Sequence, residues 1–196
     1  DEQAQVNIYN KIGWTYRNKK DTKKAEEMYS RALDLSIKLD NKKLIIDSYN
    51  HMFDYYRESE EYSMAFNSLF SARKIIKELN VPDKLANNFY WTAKNHSDRG
   101  DLDSAIVYLN RTMEIHQKLG NMSKVGPLYF ELSANYAIKG DIDNSLEMII
   151  KSSALLNEVN DTKRILWAQF FTGTIYFLKQ EYKTAVDEYM NPAIAA

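Results

Sequence analysis

A six-residue turn, Gly100-Asp101-Leu102-Asp103-Ser104-Ala105, returns forty positions later as Gly140-Asp141-Ile142-Asp143-Asn144-Ser145. The same step from Ala105 reaches Ala25, Ala65, Ser145 and Ala185, a small residue each time. From Tyr136 it reaches Tyr16, Tyr56, His96 and Tyr176. Self-similarity at such a period marks an array of stacked structural units, each too small to bury a core alone. Five units share the plan: residues 1–40, 41–80, 81–120, 121–160 and an incomplete 161–196. Because such an array grows by stacking, the expectation is one domain over the whole chain.

Each unit reads as two helices. Asp21 or Thr22 suits an N-cap, Gly120 a left-handed C-terminal stop, and Pro82 the first turn of a helix, where a missing N–H has no helical partner anyway. Pro127 is likewise expected in a first turn. Gly13, Phe53, Ala93, Ser133 and Gly173 recur at one site of the first helices, mostly small, as are the residues from Ala25 to Ala185 on the second. Small residues at both sites let the paired helices cross closely, with Tyr29, Leu69, Leu109, Ile149 and Tyr189 filling the space beside the contact.

The first unit carries Tyr9, Ile12, Gly13 and Tyr16 on one helix, then Ala25, Tyr29 and Ala32 on the next. This resembles the tetratricopeptide repeat, whose pattern is an aromatic, Leu-Gly and Tyr, followed by Ala and an aromatic. The period is longer than the family's thirty-four residues and is similar to the long repeats of bacterial regulators and sensors. The resemblance implies an all-α fold, a right-handed superhelical solenoid of antiparallel helix pairs, with the first helices lining a concave face.

Composition narrows the function. Lys and Arg number 26 against 27 Asp and Glu, so the broad positive field of a nucleic-acid binder is missing. Lys19, Lys20, Lys23 and Lys24 cluster, but no aromatic residues interleave with them as a stacking platform requires. There is no cysteine, and no apolar run approaches the length that spans a bilayer, so a soluble segment, cytoplasmic or periplasmic, is expected. At the end, Asn191 to Ala196 reads as lacking the polar cap that usually closes such an array. His51, His96 and His116 are scattered, with no metalloprotease helix and no phosphate loop. His96 takes the recurring tyrosine position, which suits packing better than catalysis. Asp47 and Asp54 share a helix face but lack the ligand set of a metal site. No catalytic residue, cofactor or metal is therefore expected.

By resemblance to the family, the concave face presents Asn10 and Trp14 in the first unit, Asn50 and Asp54 in the second, and Tyr90 and Lys94 in the third. Phe130 follows in the fourth unit, with Trp167, Phe170 and Phe177 in the fifth. A polar half suited to a peptide backbone thus gives way to an apolar half. Family members that clamp a chaperone's C-terminal carboxylate use Lys and Asn, then Asn, then Lys and Arg. Here only Lys94 fits that pattern, and Asp47 and Asp54 oppose an acidic tail. The reading is a non-catalytic scaffold for a protein or peptide, the sensing segment of a larger bacterial regulator. The alternative is a structural module that forms a homo-oligomer through the apolar C-terminal patch.

Overall fold

The computed structural model describes residues 1–191. Nine long α-helices follow one another: α1 (Glu2–Asn18), α2 (Thr22–Lys38), α3 (Lys42–Glu58), α4 (Tyr62–Glu78), α5 (Pro82–Asp98), α6 (Leu102–Lys118), α7 (Met122–Lys139), α8 (Ile142–Glu158) and α9 (Thr162–Leu178). A short α10 (Tyr182–Thr184) runs into a π-helix, Ala185–Met190. No strand occurs among the described residues. The all-α repeat array expected from the period is thus present. The polar cap expected to be missing from residues 191–196 falls, all but Asn191, outside the described residues.

The helices begin at residues 2, 22, 42, 62, 82, 102, 122, 142 and 162, so the pitch of the backbone is twenty residues, half the period of the side chains. Every turn between long helices, and the turn after α9, contains one residue with positive φ: Lys20, Asp40, Glu60, Asn80, Gly100, Gly120, Gly140, Asn160 and Gln180. Each ends its helix in the same way. The N–H of Asp21 donates to the carbonyl of Tyr16 at 3.0 Å and that of Lys20 to Arg17 at 2.9 Å. This pair of bonds satisfies two carbonyls the helix end would otherwise orphan. The recurring Tyr16, Tyr56, His96, Tyr136 and Tyr176 all supply the first of these carbonyls. The next helix starts at once, capped by Asp21, Asn41, Asp101, Asp141 or Asp161, each accepting from a backbone N–H three residues on.

The chain divides into two compact units, residues 1–95 and residues from 96 onward. In the first, Ala25, Tyr29, Phe53, Tyr55, Tyr56, Ala65 and Leu69 form a buried cluster. Gly13 is small because a Cβ there would lie 2.7 Å from the Tyr29 ring. Phe53, the large residue at the equivalent site of α3, is buried in the same cluster as Leu69, which stands where α2 has Tyr29. Large against small has been exchanged for small against large. Successive first helices also grip the start of the preceding second helix. The Tyr55 hydroxyl donates to the Thr22 carbonyl at 3.2 Å, and Asn95 Nδ2, forty residues on, to that of Tyr62 at 3.1 Å.

In the second unit two serines, Ser133 and Ser145, stand where the first repeat has Gly13 and Ala25. Ser133 and Ser145 are fully buried, and each hydroxyl donates to the other's carbonyl, at 2.7 and 2.8 Å. Ile149, Leu156, Ala168 and Ile175 make the core between α8 and α9. Lys139 reaches Asp103 at 2.5 Å, and Lys179 reaches Asp143 at 3.3 Å, the same staple one repeat later. Pro127 is not in a first turn: α7 starts at Met122, so the proline sits inside the helix. Its ring leaves the Ser123 carbonyl without the usual N–H donor four residues on. The second helix of the fifth repeat also departs from expectation. It winds as a π-helix, which brings Tyr189 and Met190 against Gly173, where a Cβ would meet them at 3.1 and 2.9 Å.

His96 does pack as its position suggests. Its ring stacks on Tyr108 at 5.4 Å, and Nδ1 lies 3.0 Å from Asp101 Oδ2.

Candidate functional site

In the first unit, α1, α3 and α5 place Asn10 and Trp14, Asn50 and Asp54, and Tyr90 and Lys94 at corresponding positions along their lengths. Trp14 is exposed, and Asn50, Asp54, Tyr90 and Lys94 are half-buried. Asn10 is not the solvated groove residue the sequence suggested. It is only 4% exposed, and its Oδ1 accepts no hydrogen bond among the described residues. Leaving such an acceptor dry costs about 1–3 kcal/mol, so its persistence calls for a reason.

Asp54 is half-buried on α3, and burial pushes its pKa up, with Arg17, His51 and Arg57 opposing the rise. Beside it, Arg17 is held by Glu58 across the ends of α1 and α3, Nε to Oε2 at 3.2 Å. The His51 ring lies parallel to that of Tyr29 with centroids 6.1 Å apart. Burial lowers the His51 pKa, while Asp54 and Asp47 pull it back. Burial likewise pushes the Tyr29 phenol up to about 12, and its hydroxyl is buried without a partner among the described residues. The Arg57 guanidinium lies over Phe53 and Trp91, at 5.9 and 5.5 Å from their centroids. Tyr90 meets Trp91 edge to face at 5.3 Å.

Tyr29 and His51 were not among the residues the sequence singled out for binding. Tyr29 belongs to a second helix and reads as core, yet Gly13 leaves its ring room to extend between α1 and α3. The electrostatic influence of Arg17, Asp54 and Glu58 on the phenol places all three nearby.

The second unit carries the apolar residues. Phe130 on α7 packs on Phe171 of α9 with centroids 5.2 Å apart. Trp167, Phe170 and Phe177 are 60%, 44% and 52% exposed. Phe177 makes one ring contact, with Tyr182 at 5.0 Å. The neighbouring helices therefore cover two sides of α9 and leave this stripe open. Among the described residues no group of His, Cys, Asp and Glu side chains is arranged to hold a metal ion. No helix among them is long and apolar enough to cross a membrane.

Residues 6–36 match the family described as Tetratricopeptide repeat. This first helix pair is a tetratricopeptide repeat. The tetratricopeptide repeat fold extends over the rest of the chain as well. A STAND signal-transduction ATPase with a tetratricopeptide repeat sensor, from Pyrococcus horikoshii, superposes with a TM-score of 0.85 at 16% identity, over 100% of this chain and 31% of that one. The nearly identical tetratricopeptide-like repeats of a Podosopora anserina kinesin light chain give 0.81 at 14% identity, over 100% and 95%. A Rap conjugation gene regulator of the plasmid pLS20, solved in complex with the Phr* peptide, gives 0.66 at 17% identity, over 93% and 50%. At these identities the likeness is one of fold. The chain spans about a third of the length of the STAND protein. No curated protein matches it in sequence.

Proposed function

We propose that this chain is a non-catalytic scaffold that binds an extended protein segment on the first-helix face of residues 1–95, as the sensing part of a larger signalling protein. The observation that carries this reading is a pair of acceptors: Asn10 Oδ1, buried with no donor among the described residues, and the half-buried Asp54 carboxylate, whose pKa burial raises. A bound peptide supplies donors, its backbone N–H groups, at one every few ångströms. Asn50, half-buried at the position of α3 that Asn10 holds in α1, offers both a donor and an acceptor to the same backbone. Two neighbours of the same fold support the reading: a Rap regulator was solved with a peptide, and the STAND protein's repeats are described as its sensor.

Panning a library of random nonapeptides against the chain tests this, with affinities of selected peptides read by fluorescence polarisation. Asn50→Ala and Asp54→Asn are each expected to weaken them at least tenfold. Selected peptides that bind both variants as tightly as the parent chain would overturn the reading.

A further inference from the structure

The α9 segment from Ile165 to Leu178 contains no charged residue. A helix apolar on every side is ordinarily buried on every side. Here Trp167, Phe170, Phe177 and Leu178 lie along one exposed stripe, Tyr182 extends it past the turn against Phe177, and Ile138, at the place on α7 that Leu178 holds on α9, is exposed as well. Their exposures run from 44% for Phe170 to 70% for Ile138. Six large side chains so exposed present on the order of 600 Å2, at or above the largest apolar patch a typical monomer carries.

Three features of the stripe identify its occupant. It has little to hold a peptide backbone, since the Thr174 hydroxyl is already spent on the Phe170 carbonyl at 3.1 Å. Of the charges around it, Arg164 pairs with Asp161, Lys139 with Asp103 and Lys179 with Asp143, while Lys163 and Lys183 flank its two ends. The stripe itself carries no charge to repel an identical one, and the chain's net charge is only −1. Two such faces together bury on the order of 1,200 Å2, the lower end of what specific association requires. We propose that the stripe is a homodimer interface, α9 against α9 of a second copy, with Phe170 at its centre. The interface is isologous, so each Phe170 meets the same patch of the other copy.

Sedimentation equilibrium of the 196-residue chain from about 1 to 200 μM tests the proposal, with Trp167 fluorescence followed in parallel. The expected result is a concentration-dependent dimer with a blue shift of the tryptophan emission. Phe170→Glu and, separately, Phe170→Ser are expected to raise the dimer dissociation constant at least tenfold. Phe70→Glu, at an equally exposed phenylalanine on α4, is expected to leave it unchanged. Circular dichroism establishes that each variant keeps its helices, and because Phe170 is exposed the serine form folds even if the glutamate form does not. A monomer over the whole range, a dimer indifferent to both Phe170 substitutions, or a monomer that instead captures the nonapeptides through Phe170 would each overturn it.

Discussion

Arg73 Nε donates to Asn88 Oδ1 at 2.8 Å inside the stack of α4 on α5, where both residues are buried. The same guanidinium reaches Thr92 Oγ1 at 2.5 Å and covers the Phe89 ring at 4.8 Å, while Asn88 Nδ2 holds the Leu69 carbonyl at 2.9 Å. One repeat later the corresponding residues are Met113, Leu128 and Leu132, all apolar. A charged, hydrogen-bonded key thus occupies a junction that the next repeat fills with apolar side chains. Arg73→Ala leaves Asn88 short of its donor and is expected to cost about 3 kcal/mol in urea unfolding. The triple change Arg73→Met, Asn88→Leu and Thr92→Leu copies the next repeat and is expected to recover most of that loss. An Arg73→Ala midpoint equal to the parent's would show that the network contributes nothing.

The turns supply a second test. Glu60 and Gly140 occupy the same place in their turns, with φ of 59° and 85°. A side chain in this region crowds the following carbonyl, at roughly 1–2 kcal/mol for an ordinary residue. No atom lies within 4 Å of a Cβ added to Gly140, so the backbone alone decides the outcome. Glu60→Gly is expected to stabilise the chain by about 0.5–1 kcal/mol and Gly140→Ala to destabilise it by a similar amount, both read from thermal midpoints.

Acid weakens the caps. Hydrogen bonding from Ser104, followed by the influence of His96, lowers the Asp101 pKa from its ordinary 3.8. A carboxylate depressed in the folded state contributes stability above its unfolded pKa and loses it as pH falls through the folded one. Stability is therefore expected to drop below about pH 4, and Asp101→Asn, which caps without titrating, to shallow that fall. An identical acid limb in the variant would refute the assignment to Asp101.

Asp54 carries the opposite sign. Its folded pKa is raised, so the folded chain holds a proton more tightly there than the unfolded chain does. That contribution is present at low pH and is lost as pH rises through the raised value. At pH 7 the chain holds a half-buried charge that burial disfavours, so Asp54→Asn is expected to be more stable than the parent at pH 7, by an amount that vanishes at pH 3. Coupled with the weaker peptide binding expected above, this is the trade of stability for function that binding residues show. A variant less stable at pH 7 would mean that Asp54 supports the fold.

The forty-residue period, the small crossing residues and the all-α repeat fold could all be read from the chain, because each depends on residues whose size or turn chemistry recurs at a fixed step. The family likeness rested on Tyr9, Gly13, Tyr16, Ala25 and Tyr29, and the match over residues 6–36 falls on the same helix pair. The twenty-residue backbone pitch was hidden. Only Gly100, Gly120 and Gly140 announce the left-handed turn residue, while Lys20, Asp40, Glu60, Asn80, Asn160 and Gln180 adopt it under the demand of the helices they join. Pro127 was misplaced because α7 begins at Met122, which puts the proline past the first turn, and nothing in the local sequence announces the π-helix of Ala185–Met190. Burial was the other quantity the one-dimensional pattern did not carry. Asn10 and Phe170 occupy the same place in the repeat, yet the asparagine is enclosed and the phenylalanine is open. A residue's exposure depends on which helices lie over it, and only the tertiary arrangement decides that.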